Sequence, residues 1–330
     1  MKSINRNRIL SGAAAFLFAT SAMMGAQATA SYDQLKAEHP GWMQIPGKLI
    51  RPDCVHQVPS GAQVELGSDG QPTGDVKMNG NVIAHYDSCP EESIDTRHVS
   101  EAQQDPGTGN GWVEAVQWDV SLKSTDNIAN LDGYFHVPNP PTASGALVYL
   151  FNALEPSTEN WIMQPVLQWG DNGAFGGDYY VFASWLVGPK GSGIAFVSTP
   201  YVVTPGDYLL GINQQNGVSG SSDLSYFVNS FDERTFQSSV LNLTSSDLHW
   251  VWAFAGVLEA YGVTSCSQFP PNDVSHFYKT QVAHGYPSFE NIDPEGFYGA
   301  IYNYGGPKCK FNASVTGNGV KAGSTSALKY

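Results

Sequence analysis

From residue 112 onward, short apolar runs recur about every ten positions, separated by turns rich in glycine and proline. The runs at 112–120, 133–137, 146–151, 161–169, 179–187, 193–197, 208–213, 224–230 and 236–243 alternate or run apolar, and are rich in Val, Tyr, Trp and Phe. Aromatic and β-branched residues in runs of this length, punctuated by Pro-Gly, Asn-Gly and Gly-Gly, predict strands. Regular short strands with no long helical pattern predict an all-β sandwich or barrel. The stretch 250–261 is apolar with several alanines and fits a strand or a short helix. No internal repeat is visible.

The pattern also divides the chain. Residues 1–30 carry a basic start (Lys2, Arg6, Arg8), an apolar stretch and small residues with cleavage positions after Ala28 or Ala30, which predicts a signal peptide. Residues 31–101 form an N-terminal segment. Within it 61–87 holds short apolar runs and turn signals that fit two hairpins. This segment reads as a small β unit or as a pro-segment removed on activation. Residues 102–111 are nearly free of apolar side chains and read as a linker. Residues 112–320 form the main domain, and 321–330 is a small, polar tail expected to fray.

Composition narrows the partners. The formal net charge is −14, and charged residues make up only 14% of the chain. Nothing in such a chain replaces the counterions of phosphate, which argues against a nucleic-acid partner. No segment after residue 30 has enough consecutive apolar residues to span a bilayer. The expectation is a secreted protein, extracellular or periplasmic, off the membrane after signal cleavage and monomeric. Cys54, Cys89, Cys266 and Cys309 are an even set in an exported chain, which suggests two disulfides. Sequence neighbours pair most simply as Cys54–Cys89 and Cys266–Cys309, and the other two pairings stay open. Loops of that size are worth on the order of 3–4 kcal/mol. No cysteines have zinc-site spacing.

Several constellations are absent: the G-x-S-x-G elbow, H-E-x-x-H, a P-loop and a dinucleotide fingerprint. His85, His98, His136, His249, His276 and His284 are scattered. No metal or organic cofactor is called for. A two-carboxylate glycosidase is a further reading, but Glu114, Glu155, Glu159, Glu233 and Glu259 are isolated along the sequence. Two features stand out. Gln164 and Gln168 lie four apart in an aromatic, apolar strand and so share one of its faces. Glu259 is a lone carboxyl within VWAFAGVLEAYGV, where burial would raise its pKa.

Together these stretches resemble the glutamic peptidases, the eqolisin family of acid proteases. That family carries I-L-Q-T-G-x-x-W followed by a Tyr/Trp-rich strand. The counterpart here is Ile162-Met163-Gln164-Pro165-Val166-Leu167-Gln168-Trp169, then residues 179–185. Glu259 in Ala255-Gly256-Val257-Leu258-Glu259 resembles the family's catalytic glutamate segment. Weaker similarities are Trp112-Val113-Glu114-Ala115-Val116, His136-Val137-Pro138 and Pro205-Gly206-Asp207. The ordered set covers about 112–260. Tyr149-Leu150-Phe151-Asn152-Ala153-Leu154 replaces the family's W-V-G-I-D-G, Pro165 replaces a small residue, and a second-strand glutamate is replaced near Ser184.

The resemblance implies a concanavalin-like antiparallel double-sheet β-sandwich; with Cys54 and Cys89 at its ends, the preceding N-terminal segment reads as a small disulfide-stapled unit. It implies a secreted acid endopeptidase with a polypeptide substrate. Gln164 and Glu259 would be the catalytic dyad acting through an activated water. Gln168, Trp169, Tyr180 and Trp185 would line the groove. The alternative is a non-catalytic carbohydrate- or protein-binding sandwich of the same fold.

Overall fold

The computed structural model describes residues 32–330, apart from 67–71, 88, 90–92, 98–108, 121–126, 159–160, 189–192, 220–222, 246–247, 272–273, 286–289, 292–295, 303 and 317–323. The signal-peptide reading of 1–30 and most of the linker reading of 102–111 lie outside the described residues.

A short helix, α1 (Tyr32–Glu38), opens the described chain, and strands make up nearly all the rest. The N-terminal strands are β1 (Met43–Ile45), β2 (Lys48–Ile50), β3 (Val55–Val58), β4 (Ala62–Leu66), β5 (Pro72–Met78), β6 (Asn81–His85) and β7 (Ile94–Asp95). The central strands are β8 (Gly109–Asp119), β9 (Asn127–His136), β10 (Leu147–Pro156), β11 (Ile162–Trp169), β12 (Tyr180–Gly188), β13 (Ile194–Ser198), β14 (Tyr201–Val203) and β15 (Tyr208–Ser219). The last are β16 (Asp223–Asp232), β17 (Ser238–Ser245), β18 (Trp250–Val263), β19 (Val274–Gly285), β20 (Glu290–Asn291), β21 (Tyr298–Ile301), β22 (Ser314–Thr316) and β23 (Ser324–Lys329).

These strands form the predicted all-β sandwich. The front sheet runs β21-β8-β18-β10-β11-β12-β13-β3, with β14 beside β12. The back sheet runs β22-β23-β19-β9-β15-β16-β17-β4-β5-β6, with β20 beside β19. Between them lies a core that includes Val148, Leu150, Met163, Leu167, Phe182, Leu209, Tyr226, Leu258 and Phe277. The sheets approach closely at Gly211 on β15. A Cβ there would stand 2.2 Å from Asn152 Oδ1 and 2.7 Å from the Pro165 ring, so no side chain fits. Asn152 Nδ2 instead donates to the Gly211 carbonyl at 3.0 Å. Pro165 lies mid-strand, where it removes a ladder donor. The β10–β11 register skips from Phe151–Val166 to Leu154–Met163 around it.

The N-terminal segment is woven into both sheets. β3 adds in parallel to β13 at the front edge, and β4 adds in parallel to β17 in the back sheet. β1, β2 and β7 make a separate three-stranded sheet. The residues around them (Tyr32, Met43, Ile45, Ile50, Cys54) pack on the outer face of the front sheet, against Tyr149, Phe151, Ile162, Val166, Trp185 and Val257. The centre of the front sheet is therefore buried on both faces, and no residue of β10, β11 or β12 is exposed. The disulfides are Cys54–Cys89 and Cys266–Cys309, closing spans of 35 and 43 residues. No helix among the described residues is long and apolar enough to cross a membrane.

Two expectations from the sequence change. The 250–261 stretch is strand, because both faces of β18 are covered and its alternate residues enter different cores. The tail does not fray over 324–330. β23 pairs with β19 and β22, Leu328 is buried, and the Tyr330 hydroxyl shares a 2.6 Å hydrogen bond with Ser275. Period-two alternation of Ser326, Leu328 and Tyr330 toward the core outweighs the small, polar composition. Truncating Leu328 to Ala should therefore cost about 2–5 kcal/mol in urea unfolding. A change within about 0.5 kcal/mol, as for an ordinary surface site, would show the tail to be loose.

Candidate active site

Strand alternation decides which side chains reach the outer face of the front sheet. On β11, Ile162 and Val166 belong to the outer cluster, while Met163, Leu167 and Trp169 belong to the inter-sheet core. Gln164 and Gln168 therefore point outward. On β18, Val257 and Tyr261 belong to the outer cluster and Leu258 and Ala260 to the inner one, so Glu259 also points outward. All three candidates share one face.

Register then separates the two glutamines. Tyr149 on β10 pairs with Gln168 on one side and Glu259 on the other, so Gln168, Tyr149 and Glu259 form one cross-strand row. Strand spacing puts the backbones of Gln168 and Glu259 about 10 Å apart, within the combined reach of the two side chains. Gln164 lies four residues along, about 13 Å from that row, and pairs with Trp185. It is buried at 1% exposure, and neither of its amide atoms has a protein partner. The structure thus brings Gln168, rather than Gln164, level with Glu259.

Gln168 is held tightly. Its Nε2 donates to the carbonyls of Gly170 (2.8 Å) and Phe175 (2.9 Å), and its Oε1 accepts from Asn172 Nδ2 (3.1 Å). Asn172 Oδ1 in turn accepts from the Ala174 and Phe175 amides. The 170–177 loop is wrapped around this amide. It can do so because Gly176, at φ +105°, has no side chain; a Cβ there would stand 2.4 Å from Gln168 Nε2.

Glu259 is fully buried. Its Oε1 accepts the Gly47 backbone N–H at 2.7 Å and the Tyr261 hydroxyl, and its Oε2 has no protein hydrogen-bond partner. Desolvation pushes its pKa up to about 7, against the pull of Tyr261, Gly47, Trp112 and Arg97. The covering group is the β1–β2 hairpin, whose turn carries Gly47 at φ +77°. The hairpin is bonded to the row beneath it. Tyr149 donates to the Gln44 carbonyl at 2.7 Å. The Gln44 side chain bridges Tyr32, Ile45, Lys48 and Thr96, and Thr96 meets the Tyr261 hydroxyl at 2.6 Å. Beside it the buried Arg97 pairs with Asp95 and Glu155. That arginine holds the Asp95 carboxyl below its usual range, although burial works in the opposite direction.

Water reaches the edge of this assembly. A cavity of about 370 Å³ opens between Tyr261 and the 170–178 loop, lined also by Tyr32, Asp33, Lys36 and Gln44. Tyr261 joins it to Glu259.

Three groove assignments meet different fates. Trp185 lies on the outer face, packed on Phe175 with ring centroids 5.8 Å apart. Trp169 and Tyr180 do not: both face the inter-sheet core, with the Tyr180 hydroxyl on the Asn139 carbonyl. They occupy the opposite parity from Gln168 and Trp185 on their strands. Ser184 also faces inward, bonded to Ser230 and Ser239. For the glycosidase reading, Glu114 opposes the inward-facing Leu258, and Glu155 is paired with Arg97 six residues along β10 from the Tyr149 row. Glu114 therefore faces away from Glu259, and the Glu155 carboxylate is engaged by Arg97. No cluster of three or more His, Cys, Asp or Glu able to hold a metal occurs among the described residues.

No family model and no curated protein sequence matches this chain. Solved structures resemble it at a distance. A scytalido-glutamic peptidase with a transition state analog inhibitor shares 13% identity at TM-score 0.44, covering 68% of this chain and 99% of that one. SCP-B, a member of the eqolisin family in complex with the tripeptide Ala-Ile-His, shares 14% identity at TM-score 0.43 over the same shares.

The residues that sequence reading missed are Gln44, Gly47, Thr96 and Arg97 from the cap, with Tyr149, Asn172 and Tyr261. The polar, glycine-rich string DNGAFGG at 171–177 was the one local signal, since such a loop can wrap a neighbouring side chain.

The titration of Glu259 bears on the cap. Its carboxyl has a raised pKa when covered, so its contribution to closure is complete below about 4.5 and is lost as pH rises toward about 7. Asp95 has the opposite sign: its contribution is present above 3.8 and lost as pH falls below it. Hydrogen exchange at the Gly47 amide should therefore quicken between pH 4.5 and 7, after correction for intrinsic rates. The same profile in Glu259→Gln should be flat over that window. Identical profiles in the two proteins would remove Glu259 as the cause.

Proposed function

We propose that this chain is an exported peptidase of glutamic type, seen with its trough closed, in which Glu259 and Gln168 act on a polypeptide bond. The observation that carries the reading is the single row Gln168–Tyr149–Glu259 on the outer face of the front sheet. The sequence resemblance around residues 162–169 and 255–259 supports the glutamic type and Glu259, but it points to Gln164 as the amide; Gln168 rests on the register alone. Two disulfides fit an oxidising compartment.

The chemistry follows from the donors and acceptors present. With the hairpin displaced, Glu259 regains water, and its pKa falls toward the ordinary carboxylate value of about 4.3. Its ionised form takes a proton from a water molecule, whose oxygen attacks the scissile carbonyl carbon. Gln168 does not titrate, and its amide N–H donates to the oxyanion that forms. Glu259 then returns the proton to the nitrogen, the C–N bond breaks, and a carboxylic acid and an amine leave. Both groups must first be freed: Glu259 from the Gly47 amide, and Gln168 Nε2 from the Gly170 and Phe175 carbonyls. Trp185 and Phe175 give the opened trough an apolar wall.

The test is hydrolysis of denatured casein at pH 3–5 by the full chain and by a form cleaved between residues 38 and 51. Cleavage should raise the rate. In the cleaved form Glu259→Gln should lose about 10²–10⁴-fold and Gln168→Ala about 10²–10³-fold. Gln164→Ala should keep most of the rate. Wild-type rates in both Glu259→Gln and Gln168→Ala would sink the proposal, and a loss confined to Gln164→Ala would overturn the register argument.

A further inference from the structure

The outward face of the back sheet carries a second cluster, unrelated to the trough. Tyr134 and His136 on β9, Tyr208 on β15, and His276 and Tyr278 on β19 all point to solvent on adjoining strands. Tyr134 and Tyr208 stack at 5.0 Å and 15°, His136 lies 4.7 Å from Tyr208, and His276 stacks on Tyr278 at 5.5 Å. A cleft of about 360 Å³ opens among His136, Tyr208, Tyr278, Lys279 and Thr325. None of these five is buried.

One strained backbone position lies at the same place. Three non-glycine residues among the described ones have a left-handed backbone: Asn79, Phe236 and Lys279. Asn79 is part of an Asn-Gly turn and is ordinary there. Lys279, at φ +52°, sits in a bulge where two residues of β19, Lys279 and Thr280, oppose one of β9, Gly133. Bulges re-aim side chains, and this one places the ammonium 5.2 Å from the centre of the Tyr134 ring. Phe236, at φ +59°, belongs to the turn between β16 and β17, where its amide bonds the Asp232 carbonyl at 2.8 Å, and is likewise ordinary there. Strain of this kind on a lysine persists only where surrounding structure imposes it, and it gathers at binding sites.

We propose that this cleft binds a neutral oligosaccharide. Its walls are rings, whose apolar faces match the C–H faces of a pyranose. Its rims are the Tyr and Thr hydroxyls, the His ring nitrogens and the Lys279 ammonium, which match sugar hydroxyls in both donor and acceptor roles. The volume is that of a small-molecule site. Charge selects within that class. Lys279 already occupies the Tyr134 ring and disfavours a cation. The Glu233 carboxylate beside Tyr134 and Tyr208, within a chain of net charge −14, disfavours a polyanion.

The experiment is retention of the full chain on insoluble cellulose, xylan, chitin and β-1,3-glucan, with titration calorimetry against soluble fragments of whichever retains it. It is run on the Glu259→Gln chain, so peptidase turnover plays no part. Retention on at least one polysaccharide is expected, with Tyr278→Ala and Tyr208→Ala each weakening it about tenfold, the scale of one lost aromatic contact. Circular dichroism checks their folding. Lys279→Gly relieves the strained backbone, and should weaken binding while leaving stability equal or higher. Absence of retention on all four, equal retention by every variant, or binding confined to dextran sulfate would overturn the proposal.

Discussion

A sheet buried on both faces has no solvent side on which to leave a carboxyl, and the front sheet of this protein is such a sheet at its centre. Its inner face meets the back sheet and its outer face meets the N-terminal cap. Glu259 sits in the middle of that outer layer, where an unpartnered charge costs far more than one hydrogen bond returns. The protein meets the constraint with the Gly47 amide, the Tyr261 hydroxyl and a raised pKa. The placement of the hairpin, the identity of its turn residue and the state of the carboxyl follow from one another.

The cap is held by two kinds of attachment with different ranges. Near the row, contacts are short and polar: Tyr149 to Gln44, Tyr261 to Thr96, Arg97 to Asp95 and Glu155. Further along, the same segment continues into β3 and β4, ladder strands at the margins of both sheets, and is stapled by Cys54–Cys89. The first set touches the row directly, and the second set lies away from it. Glu259 and Asp95 respond to pH with opposite signs, so the polar set weakens on either side of a narrow acidic window.

The two sheets also divide the molecule's chemistry. The front sheet presents a covered row of amide, phenol and carboxyl groups, while the back sheet presents open rings around a small cleft. One face carries a buried carboxyl with its hydrogen-bond donors and the other carries stacked rings, and the inter-sheet core separates them. Gly211 and Asn152 show how closely the halves are joined.

Much was legible in the chain. Alternation and turn residues located nine strands between 109 and 245, three of them with an end five or six positions off, because period two is a property of consecutive residues; β14 and the strands after 263 were not located. The parity of Gln164 and Gln168 was readable for the same reason, while the run around Glu259 left its burial open. Cross-strand register was not. It joins residues about 90 positions apart, and nothing local in the run 162–169 says whether its first or second glutamine stands level with Glu259. The tail 324–329 likewise became a strand only because β19 offered it an edge. The cap escaped the sequence entirely: Gly47 matters through a backbone amide that any residue but proline carries, and only the folded chain brings that amide to Glu259.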